Sequence, residues 1–431
     1  MSWKMTGRGV RRVKTVATKI GSGKTPSGGA ESYHETGIVF LRSQNIHFDG
    51  LRLDDVAYID DETHREMRAS QVHDGDVLLN ITGASLGRVA YVPPGFGEAN
   101  VNQHVCIIRP RCDIDPRFLA YALSALNVQE QIFSLQVGGN RDGLNFEQVG
   151  NLELRLPDLE EQRRIANFLD SEVARIDQLL ATRKSQIELI EERALAKIFE
   201  VVRGSGQPGD RVDSGLAWLG GIPMSWPVMT VSSQFDVQLG KMLNQERSRG
   251  SHLKPYLRVA NVQWDNIETG ELLLMDFPSL ERRRYEVLPG DLLICEGGSY
   301  PGRAAIWDGR IPEIYYQKAL HRARSRGRSS VRWLYYCLRI ARAMSVFEVE
   351  GNATTMTHLT GEQFAAHRFP FPDRKIQDLL VDDLDRSIEQ DRILVRVLEE
   401  QLSTVAERKQ ALITAAVTGQ IDVTTARGVE G

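Results

Sequence analysis

At 431 residues, with 42% hydrophobic and 26% charged residues, the chain has the composition of a globular protein of two or three domains. Its formal net charge of −4 argues against indiscriminate binding to polyanions. No window holds the ~18 uncharged apolar residues of a membrane span. The four cysteines show no spacing typical of a metal site or a disulfide framework. We therefore expect a protein of the reducing cytoplasm.

Residues 1–157 are predicted to form a mostly β domain with one or two helices. Short apolar runs such as GIVFLR and DVLLNIT are separated by Gly, Pro and Asp turn signals. The stretch PRFLAYALSALNVQEQIFSL at 116–135 instead has helical spacing. This pattern indicates several short strands with a helix near the end of the domain.

The sequence GSGKTP at 21–26 is similar to a phosphate-binding loop. That motif needs a glycine where this chain has Thr18, and the counterpart QLGKML in the second half lacks the hydroxyl that a magnesium ion requires. We therefore expect no nucleotide here. The loop favours Lys24 and Thr25 as groups that reach a phosphate or a base edge.

Residues 158–203 are predicted to form one long helix. Asp158 offers an N-cap oxygen, and no glycine occurs before Gly204. Apolar residues recur at steps of three and four, as in a coiled-coil seam. The seam residues are Ala166, Leu169, Val173, Ile176, Leu180, Ile187, Ile190, Ala194 and Val201, with breaks at Arg183 and Lys197. Such a helix would run roughly 65 Å, so we expect a partner helix.

After a Gly-rich linker at 204–222, residues 223–372 repeat the plan of the first domain. PYLRVANVQWDN at 255–266 is similar to VFLRSQNIHFDG at 39–50. Gly87-Arg88 corresponds to Gly302-Arg303, an offset of 215 residues (302 − 87). We interpret the two halves as one scaffold used twice with different exposed loops.

The partner helix is predicted at 373–418, before a tail at 419–431. Its seam is Val381, Leu384, Ile388, Val395, Leu398, Leu402, Val405, Leu412 and Ala416, with breaks at Asp391 and Lys409. The two seams share the offset of 215 (388 − 173), so a pseudo-twofold axis would pair the helices antiparallel. Arg183 and Asp391 would then lie near one central layer and set the register. The alternative is a pair of helices that each lie exposed on a domain surface.

No motif indicates catalysis. Asp74, Asp76 and Asp291 could supply carboxylates, but their places just before apolar strands favour turn chemistry. No Gly-x-Ser-x-Gly and no His-Glu-x-x-His occur. The Gly-rich loop and the Asn/Asp-Pro-Pro-aromatic motif of adenine methyltransferases are also absent. We expect a non-catalytic chain.

The loops of both domains carry side chains that can contact DNA, since Arg pairs with guanine and Asn or Gln with adenine. In the first domain the candidates are Lys24, Thr25, Arg42, Asn45, Asn80, Thr82, Ser85, Arg88, Asn102, Gln103, His104, Arg141 and Asn145. In the second they are Lys241, Arg258, Asn261, Gln263, Ser299, Arg303, Gln317, Lys318, Thr354, Thr355 and His358. Eight basic residues and no acid also lie between Glu313 and Glu348, a run that can serve as an electrostatic footprint for phosphates.

These features together resemble the specificity subunit of a type I restriction–modification system. The resemblance covers nearly the whole chain. It depends on LPDLEEQRRIANFLD at 156–170, AWLGGIPMSW at 217–226, ERKQALITAAVTGQIDV at 407–423 and the paired GD…G…GR blocks. One departure is that the second helix opens FPDRKIQDLL, without the Glu-Gln of the first.

The resemblance implies an α+β fold, with two β-rich target-recognition domains separated by a long antiparallel two-helix coiled coil. Each domain would read one half of a bipartite, asymmetric site on double-stranded DNA. Two methyltransferase subunits and restriction subunits would be the protein partners of this non-catalytic subunit in an adenine-N6 methyltransferase and endonuclease complex. S-adenosylmethionine, ATP and magnesium are then expected on those partners and no cofactor on this chain.

Two other classes of function stay open from the residues alone. One is a non-catalytic protein-interaction scaffold with a coiled-coil spacer and no specific DNA binding. The other is a self-contained nuclease or methylase, which would require turnover by the purified chain. Salt-dependent binding with a base-specific footprint in two blocks would separate the leading hypothesis from both.

Overall fold

The computed structural model describes residues 9–26, 28–136, 143–242, 250–297, 301–349 and 359–424. The chain forms two compact units, Met1–Lys184 with Glu399–Gly431, and Ser185–Leu398. Among the described residues, no helix is both long and apolar enough to cross a bilayer.

The first unit contains the first head (residues 9–157) and parts of both long helices. Its strands are β1 Gly9–Arg12, β2 Ala17–Ser22, β3 Ile38–Leu41, β4 Ile46–His47, β5 Gly50–Leu51, β6 Ala57–Ile59, β7 Gln71–Val72, β8 Val77–Asn80, β9 Val89–Tyr91, β10 Ala99–Val101, β11 Val105–Pro110 and β12 Glu153–Leu156. Its helices are α1 Val13–Val16, α2 Asp61–Glu66, α3 Pro116–Ser124, α4 Leu126–Ser134, α5 Phe146–Asn151 and the long α6 Leu159–Val202, which continues into the second unit.

The second unit contains the second head (residues 204–372). Its strands are β13 Arg211–Asp213, β14 Gly221–Pro223, β15 Val228–Thr230, β16 Phe235–Leu239, β17 Leu253–Leu257, β18 Val262–Gln263, β19 Asn266–Ile267, β20 Leu273–Asp276, β21 Leu292–Cys295, β22 Ala304–Ile306, β23 Tyr315–Tyr316, β24 Leu320–Ser325 and β25 Arg368–Pro370. Its helices are α7 Val231–Gln234, α8 Ser279–Tyr285, α9 Val331–Ala343, α10 Val346–Val349, α11 Gly361–Ala366 and the long α12 Arg374–Val417, which continues into the first unit.

The two heads have the same sheet topology. The order β2-β11-β8-β9 in the first corresponds to β16-β24-β21-β22 in the second, and β6-β3-β10 corresponds to β20-β17-β23. In both heads one pair is parallel, β3 with β10 and β17 with β23, while the other ladders of these sheets are antiparallel. The internal repeat predicted from the sequence is therefore present in the strand order.

A buried ion pair joins two strands of the main sheet in each head. Asp76 is fully buried and accepts hydrogen bonds from Arg109 Nε (2.7 Å) and from the backbone N–H of His73 (2.8 Å). Asp291 and Arg324 repeat the pair at the offset of 215 (291 − 76 and 324 − 109), with Nε to Oδ1 at 2.7 Å. These aspartates belong to the turns that the sequence favoured for them, and each ties its turn to a neighbouring strand.

A buried glutamine in the first turn of each long helix joins that helix to its head. Gln162 accepts the backbone N–H of Asp115 (2.9 Å), the N-cap of α3, and donates to the carbonyl of the proline before the helix (2.9 Å). Gln377 makes the same two bonds in the second unit, with Ser330 as its donor (2.8 Å). The second helix therefore keeps the glutamine of the first at the offset of 215 (377 − 162), although its sequence had suggested a departure at this point.

The long helices contact each other within each unit and run antiparallel. In the second unit Arg193 pairs with Asp391 and Lys197 with Asp383 (3.3 Å), so the numbering rises on α6 as it falls on α12. In the first unit Lys409 Nζ lies 2.6 Å from an Asp177 carboxylate oxygen. Every predicted seam residue is buried or partly buried. The predicted α+β fold with a paired antiparallel coil is confirmed.

Two details of the coil differ from the sequence analysis. The partner that the structure gives Asp391 is Arg193 rather than Arg183, and Lys409, a break in the seam, is neutralised by Asp177.

Residues 204–222, predicted as a linker, include β13 and the start of its antiparallel partner β14. Leu219 is buried there in the core of the second unit, because its neighbouring turn residues form a hairpin that packs on α6.

Candidate nucleic-acid interface

Five of the predicted loop residues in the first head form one surface group, which we call the amide cluster: Lys24, Thr25, Thr82, Gln103 and His104. Gly23 brings the loop of Lys24 and Thr25 to the loop of Gln103 and His104, since the Gly23 N–H donates to Asn102 O (3.2 Å). A Cβ at position 23 would lie 1.6 Å from Val101 O, so only glycine permits this approach.

Hydrogen bonds connect four members of the amide cluster: Thr25, Gln103, His104 and Thr82. Thr25 donates to Gln103 Oε1. The amide nitrogen of Gln103 lies 3.2 Å from His104 Nε2. His104 Nδ1 in turn lies 2.6 Å from Thr82 Oγ1. Gln103 and Lys24 are exposed, so the surface carries an oriented amide and, on the residue before Thr25, a cation. Such a glutamine can recognise adenine, and such a lysine a phosphate.

Three of the predicted asparagines have structural roles instead. Asn45 is buried, accepts the Arg42 N–H (2.9 Å) and donates to the Arg52 carbonyl (2.9 Å). Asn261 is buried in the equivalent turn of the second head and accepts the N–H of Arg258 (2.9 Å). Asn80 is also buried and donates to Ser43 O (2.7 Å). These buried amides hold turns of the scaffold and do not belong to the exposed surface of the loops.

The remaining described candidates of the first head lie in turns, where two of them also have structural roles. Asn102 is buried and accepts the His104 N–H (3.1 Å). Exposed Asn145 caps α5 by accepting the N–H of Gln148 (2.8 Å). Ser85 and Arg88 are partly exposed in the turn after β8, and Arg42 donates to the Asp55 carbonyl (3.2 Å).

In the second head the counterpart of Lys24 is an interior residue. Lys241 follows Gly240 as Lys24 follows Gly23, yet it is 1% exposed. Its ammonium donates to Asp276 O (2.5 Å), pairs with Glu281 and lies 4.9 Å from the Phe277 ring centroid. The lysine predicted to reach DNA here is therefore a buried structural group.

Other predicted residues of the second head stay at the surface. Lys318 is exposed, and Gln263 and Gln317 are partly exposed. Arg258 and Arg303 are partly exposed and donate to Glu271 O (3.4 Å) and Val259 O (3.1 Å). The described residues do not include Arg141 of the first head or four candidates of the second head, Ser299, Thr354, Thr355 and His358.

The basic run between Glu313 and Glu348 is partly paired inside the second unit. Arg322 is 3% exposed and lies 3.4 Å from Asp236, and Arg324 belongs to the buried pair described above. Arg326 and Arg328 are exposed. The run is therefore a weaker phosphate footprint than its sequence suggested, because carboxylates distant in sequence neutralise several of its members.

The sequence analysis missed an ion network that holds the β18–β19 hairpin to α9 and α12, which we call the arginine clamp. Asp265, at the tip of the hairpin, accepts hydrogen bonds from Arg332 (3.0 Å for Nη2 to Oδ2) and from Arg392. Arg332 also donates to Asp385 (2.7 Å) and lies over the ring of Tyr335, 4.5 Å from its centroid. No local signal could have shown this, since Asp265 is 127 residues from Arg392 (392 − 265).

The first unit repeats only part of the arginine clamp. Arg117 donates to Asp170 (2.7 Å), as Arg332 does to Asp385 at the offset of 215 (332 − 117 and 385 − 170). Asp177 stands at the counterpart of Arg392 and pairs with Lys409. In the equivalent hairpin β4–β5 the counterpart of Asp265 is Asp49, which pairs with Arg52 (2.9 Å) of its own turn, so the two heads hold their hairpins differently.

The clamp predicts a pH-dependent stability. Burial favours the neutral acid at Asp265, but hydrogen bonds and charge from Arg332 and Arg392 dominate and lower its pKa. A lowered folded-state pKa stabilises the fold above the unfolded value near 4, and this stability is lost as pH falls through the folded pKa. We expect Asp265→Asn to cost about 1–3 kcal/mol at pH 7, for the weakened hydrogen bonds to the two arginines, and less at pH 3.

Urea unfolding followed by tryptophan fluorescence measures this effect, since Trp218, Trp226, Trp264, Trp307 and Trp333 all lie in the second unit. Asp308→Asn is the control, because its pair with Arg310 is at the surface and is worth little. An equal loss for Asp265→Asn at pH 3 and pH 7 would contradict the clamp.

Comparison with known proteins shows which family and which relatives the chain is similar to. Residues 9–189 match the family model of the type I restriction modification DNA specificity domain. The chain is 25% identical over 244 residues to a putative type I restriction enzyme MjaX specificity subunit of Methanocaldococcus jannaschii, covering 54% of each chain. It is 21% identical over 260 residues to the type I restriction enzyme EcoKI specificity subunit of Escherichia coli K12, covering 59% of this chain and 54% of that one. The chain thus spans about half the length of the curated relatives it matches.

Two solved structures have the same fold along nearly the whole chain. One comes from work on complex assembly and conformational transition of the type I R-M system, with a TM-score of 0.72, 18% identity and coverage of 97% of this chain and 100% of that one. The other is the HsdS subunit of Thermoanaerobacter tengcongensis, with a TM-score of 0.52, 20% identity and coverage of 96% and 98%. At these identities the likeness shows the fold, and it agrees with the resemblance seen in the sequence.

Proposed function

We propose, since the chain belongs to the family of type I restriction–modification specificity subunits, that it recognises a bipartite, asymmetric DNA sequence with one head per half-site. The paired long helices would set the gap between the half-sites. The chain itself would carry out no reaction.

The observation that supports this proposal is a repeated scaffold with unlike surfaces. The buried ion pair and the joint glutamine recur in both heads at one offset. The loops they support differ, since Lys24 is exposed while Lys241 is buried against Glu281. A shared frame with different polar surfaces suits two heads that bind similar duplexes but distinguish different bases.

The surface chemistry fits base recognition better than bulk attraction. At a net charge of −4 the chain has no excess of cations for non-specific binding. The amide cluster offers Gln103, which can make a bidentate contact with adenine, and the exposed cation of Lys24. We therefore assign base reading to the loops and much of the phosphate affinity to partner subunits.

We propose two methyltransferase subunits and restriction subunits as protein partners. S-adenosylmethionine would be bound by the methyltransferases, and ATP with magnesium by the restriction subunits. Two curated relatives are named as specificity subunits of restriction enzymes, which supports this assembly. The buried glutamines in the first turns keep the two long-helix entries equivalent, so each would serve one methyltransferase.

Base-specific footprinting of the chain with its methyltransferase partner tests the proposal. We expect two protected blocks separated by an unprotected gap. Gln103→Ala with His104→Ala should weaken binding by about 1–3 kcal/mol for the lost base contact. It should also relax base preference in one block only, while Gln178→Ala, an exposed glutamine on α6, should change neither.

Two results would count against the proposal. Equal affinity for all duplexes with the partner present would favour the protein-interaction scaffold. Relaxed preference in both blocks after the double substitution would show that the heads do not read separate half-sites.

A further inference from the structure

Helix α8 of the second head presents an exposed face, within which the Arg284 guanidinium carbon lies 5.4 Å from the centroid of the Tyr285 ring. Leu280 is 97% exposed, an unusual state for a leucine in a well-packed domain. Arg283 and Arg284 are exposed on the same short helix. Positions i, i+3 and i+4 of a helix point to one side, so the leucine and the two guanidinium groups form one surface, which we call the α8 face.

The opposite side of α8 is anchored to the head. The Phe277 ring lies 6.3 Å from the Tyr285 ring and stacks at 4.2 Å on Tyr315. Arg282 donates to Phe277 O (3.1 Å) and lies 3.5 Å from Glu313. The helix is therefore held in place, and the exposure of the α8 face is a property of an ordered element.

The α8 face adjoins the loops already proposed to face DNA. Glu281 pairs with Lys241, and Lys241 shares a backbone bridge with Gln317. Among the described carboxylates near α8, Glu281 is taken up by Lys241 and Glu313 by Lys254. The two exposed arginines thus add positive charge to a helix whose C-cap, Glu286, bridges to Tyr315, two residues before Gln317.

The first head has no equivalent of this surface. Helix α2 occupies the same place between β6 and β7, but its sequence DETHRE carries acids in the first turn and no apolar residue. Because the shared scaffold does not require a leucine and arginines here, their presence in the second head points to a ligand of that head.

We propose that the α8 face contacts the DNA duplex at the half-site read by the second head. Arg283 and Arg284 bind two backbone phosphates, and Leu280 packs in the groove against sugars and bases, a use of leucine known among groove-binding proteins. This inference rests on the proposed function and extends it, since none of the three residues was among the predicted contacts.

Salt-dependent binding of the full chain, with its methyltransferase partner, to a duplex that carries the footprinted site tests the inference. Each phosphate contact contributes about 0.9 to the slope of log affinity against log salt. Arg283→Ala with Arg284→Ala should therefore lower the slope by about 1.8 and weaken binding roughly 60-fold at 0.1 M salt. Leu280→Ser should weaken binding about tenfold and leave the slope unchanged.

Arg386→Ala with Arg396→Ala is the matched control, since these arginines are also exposed in the second unit but lie on α12, outside the head. An equal change of slope in the control would overturn the inference, because it would show a general charge effect. Unchanged DNA binding with loss of the methyltransferase from the complex would overturn it in favour of a protein contact. Failure of the unaltered complex to bind any specific site would instead refute the proposed function itself.

Discussion

Deleting one heptad from each long helix is expected to shorten the gap between the two half-sites and to leave both half-sequences unchanged. Residues 181–187 and 398–404 are the matched segments. Their removal retains the Asp177–Lys409 pair in the first unit and the Arg193–Asp391 pair in the second. Seven residues of helix span about 10 Å, which corresponds to at most about three base pairs at 3.4 Å each. Methylation-aware sequencing of cells that carry the variant system reads the new gap.

The control for this deletion is removal of residues 181–187 alone. One helix would then be seven residues shorter than its partner, and the seams could not match along both units. We expect loss of methylation rather than a new gap. A double deletion that methylates the original motif with its original gap would contradict the role of the helices as the spacer.

Replacing Asp291 by alanine is expected to destabilise the second unit by about 1–3 kcal/mol, because the partly exposed Arg324 guanidinium and the Leu288 N–H lose their acceptor. Asp291 is 1% exposed and accepts from Arg324 (2.7 Å) and from the backbone N–H of Leu288 (2.7 Å). Its loss removes the link between β24 and the turn before β21. The midpoint of urea unfolding, followed by tryptophan fluorescence, measures the change.

Asp308→Ala is the matched control for this substitution. Asp308 also pairs with an arginine, Arg310 at 2.6 Å, but both side chains are about half exposed. Such a pair contributes about 0–1 kcal/mol. If Asp291→Ala and Asp308→Ala shifted the midpoint equally, the duplicated ion pair would not be the structural support we infer.

The repeated architecture could be predicted because its signals are local and periodic. The two seams each run over 36 residues (166–201 and 381–416) and keep one offset, and the structure confirms helices of 44 residues each. Turn signals around Asp76 and Asp291 likewise marked the starts of buried strands β8 and β21.

The exposure of individual site residues could not be predicted, since it depends on groups distant in sequence. Lys24 and Lys241 follow equivalent glycines, yet only Lys241 meets a carboxylate, Glu281, forty residues on. Asn45 and Asn261 resembled base-reading amides, but backbone groups of their own turns satisfy them. The exposure of Leu280 could not be predicted, because a single leucine in a polar stretch is normally expected to be buried.

The heads therefore differ in how they are held as well as in what they expose. The second head has Asp265 bound by arginines from α9 and α12, while the first has Asp177 where the second arginine would be. We expect the β4–β5 hairpin to exchange its amide hydrogens faster than the β18–β19 hairpin, because fewer tertiary bonds hold it. Hydrogen exchange of the intact chain measures both hairpins together, and equal protection would contradict this asymmetry.

Methylation-aware sequencing of DNA modified by the complete system tests the central claim most directly. Two unlike heads on a paired-helix spacer predict a motif of two specific blocks around a gap of fixed length, with one methylated adenine in each block. Exchange of residues 1–157 for the first head of a relative should then replace one block only. A single continuous motif, or a change in both blocks after the exchange, would contradict the account.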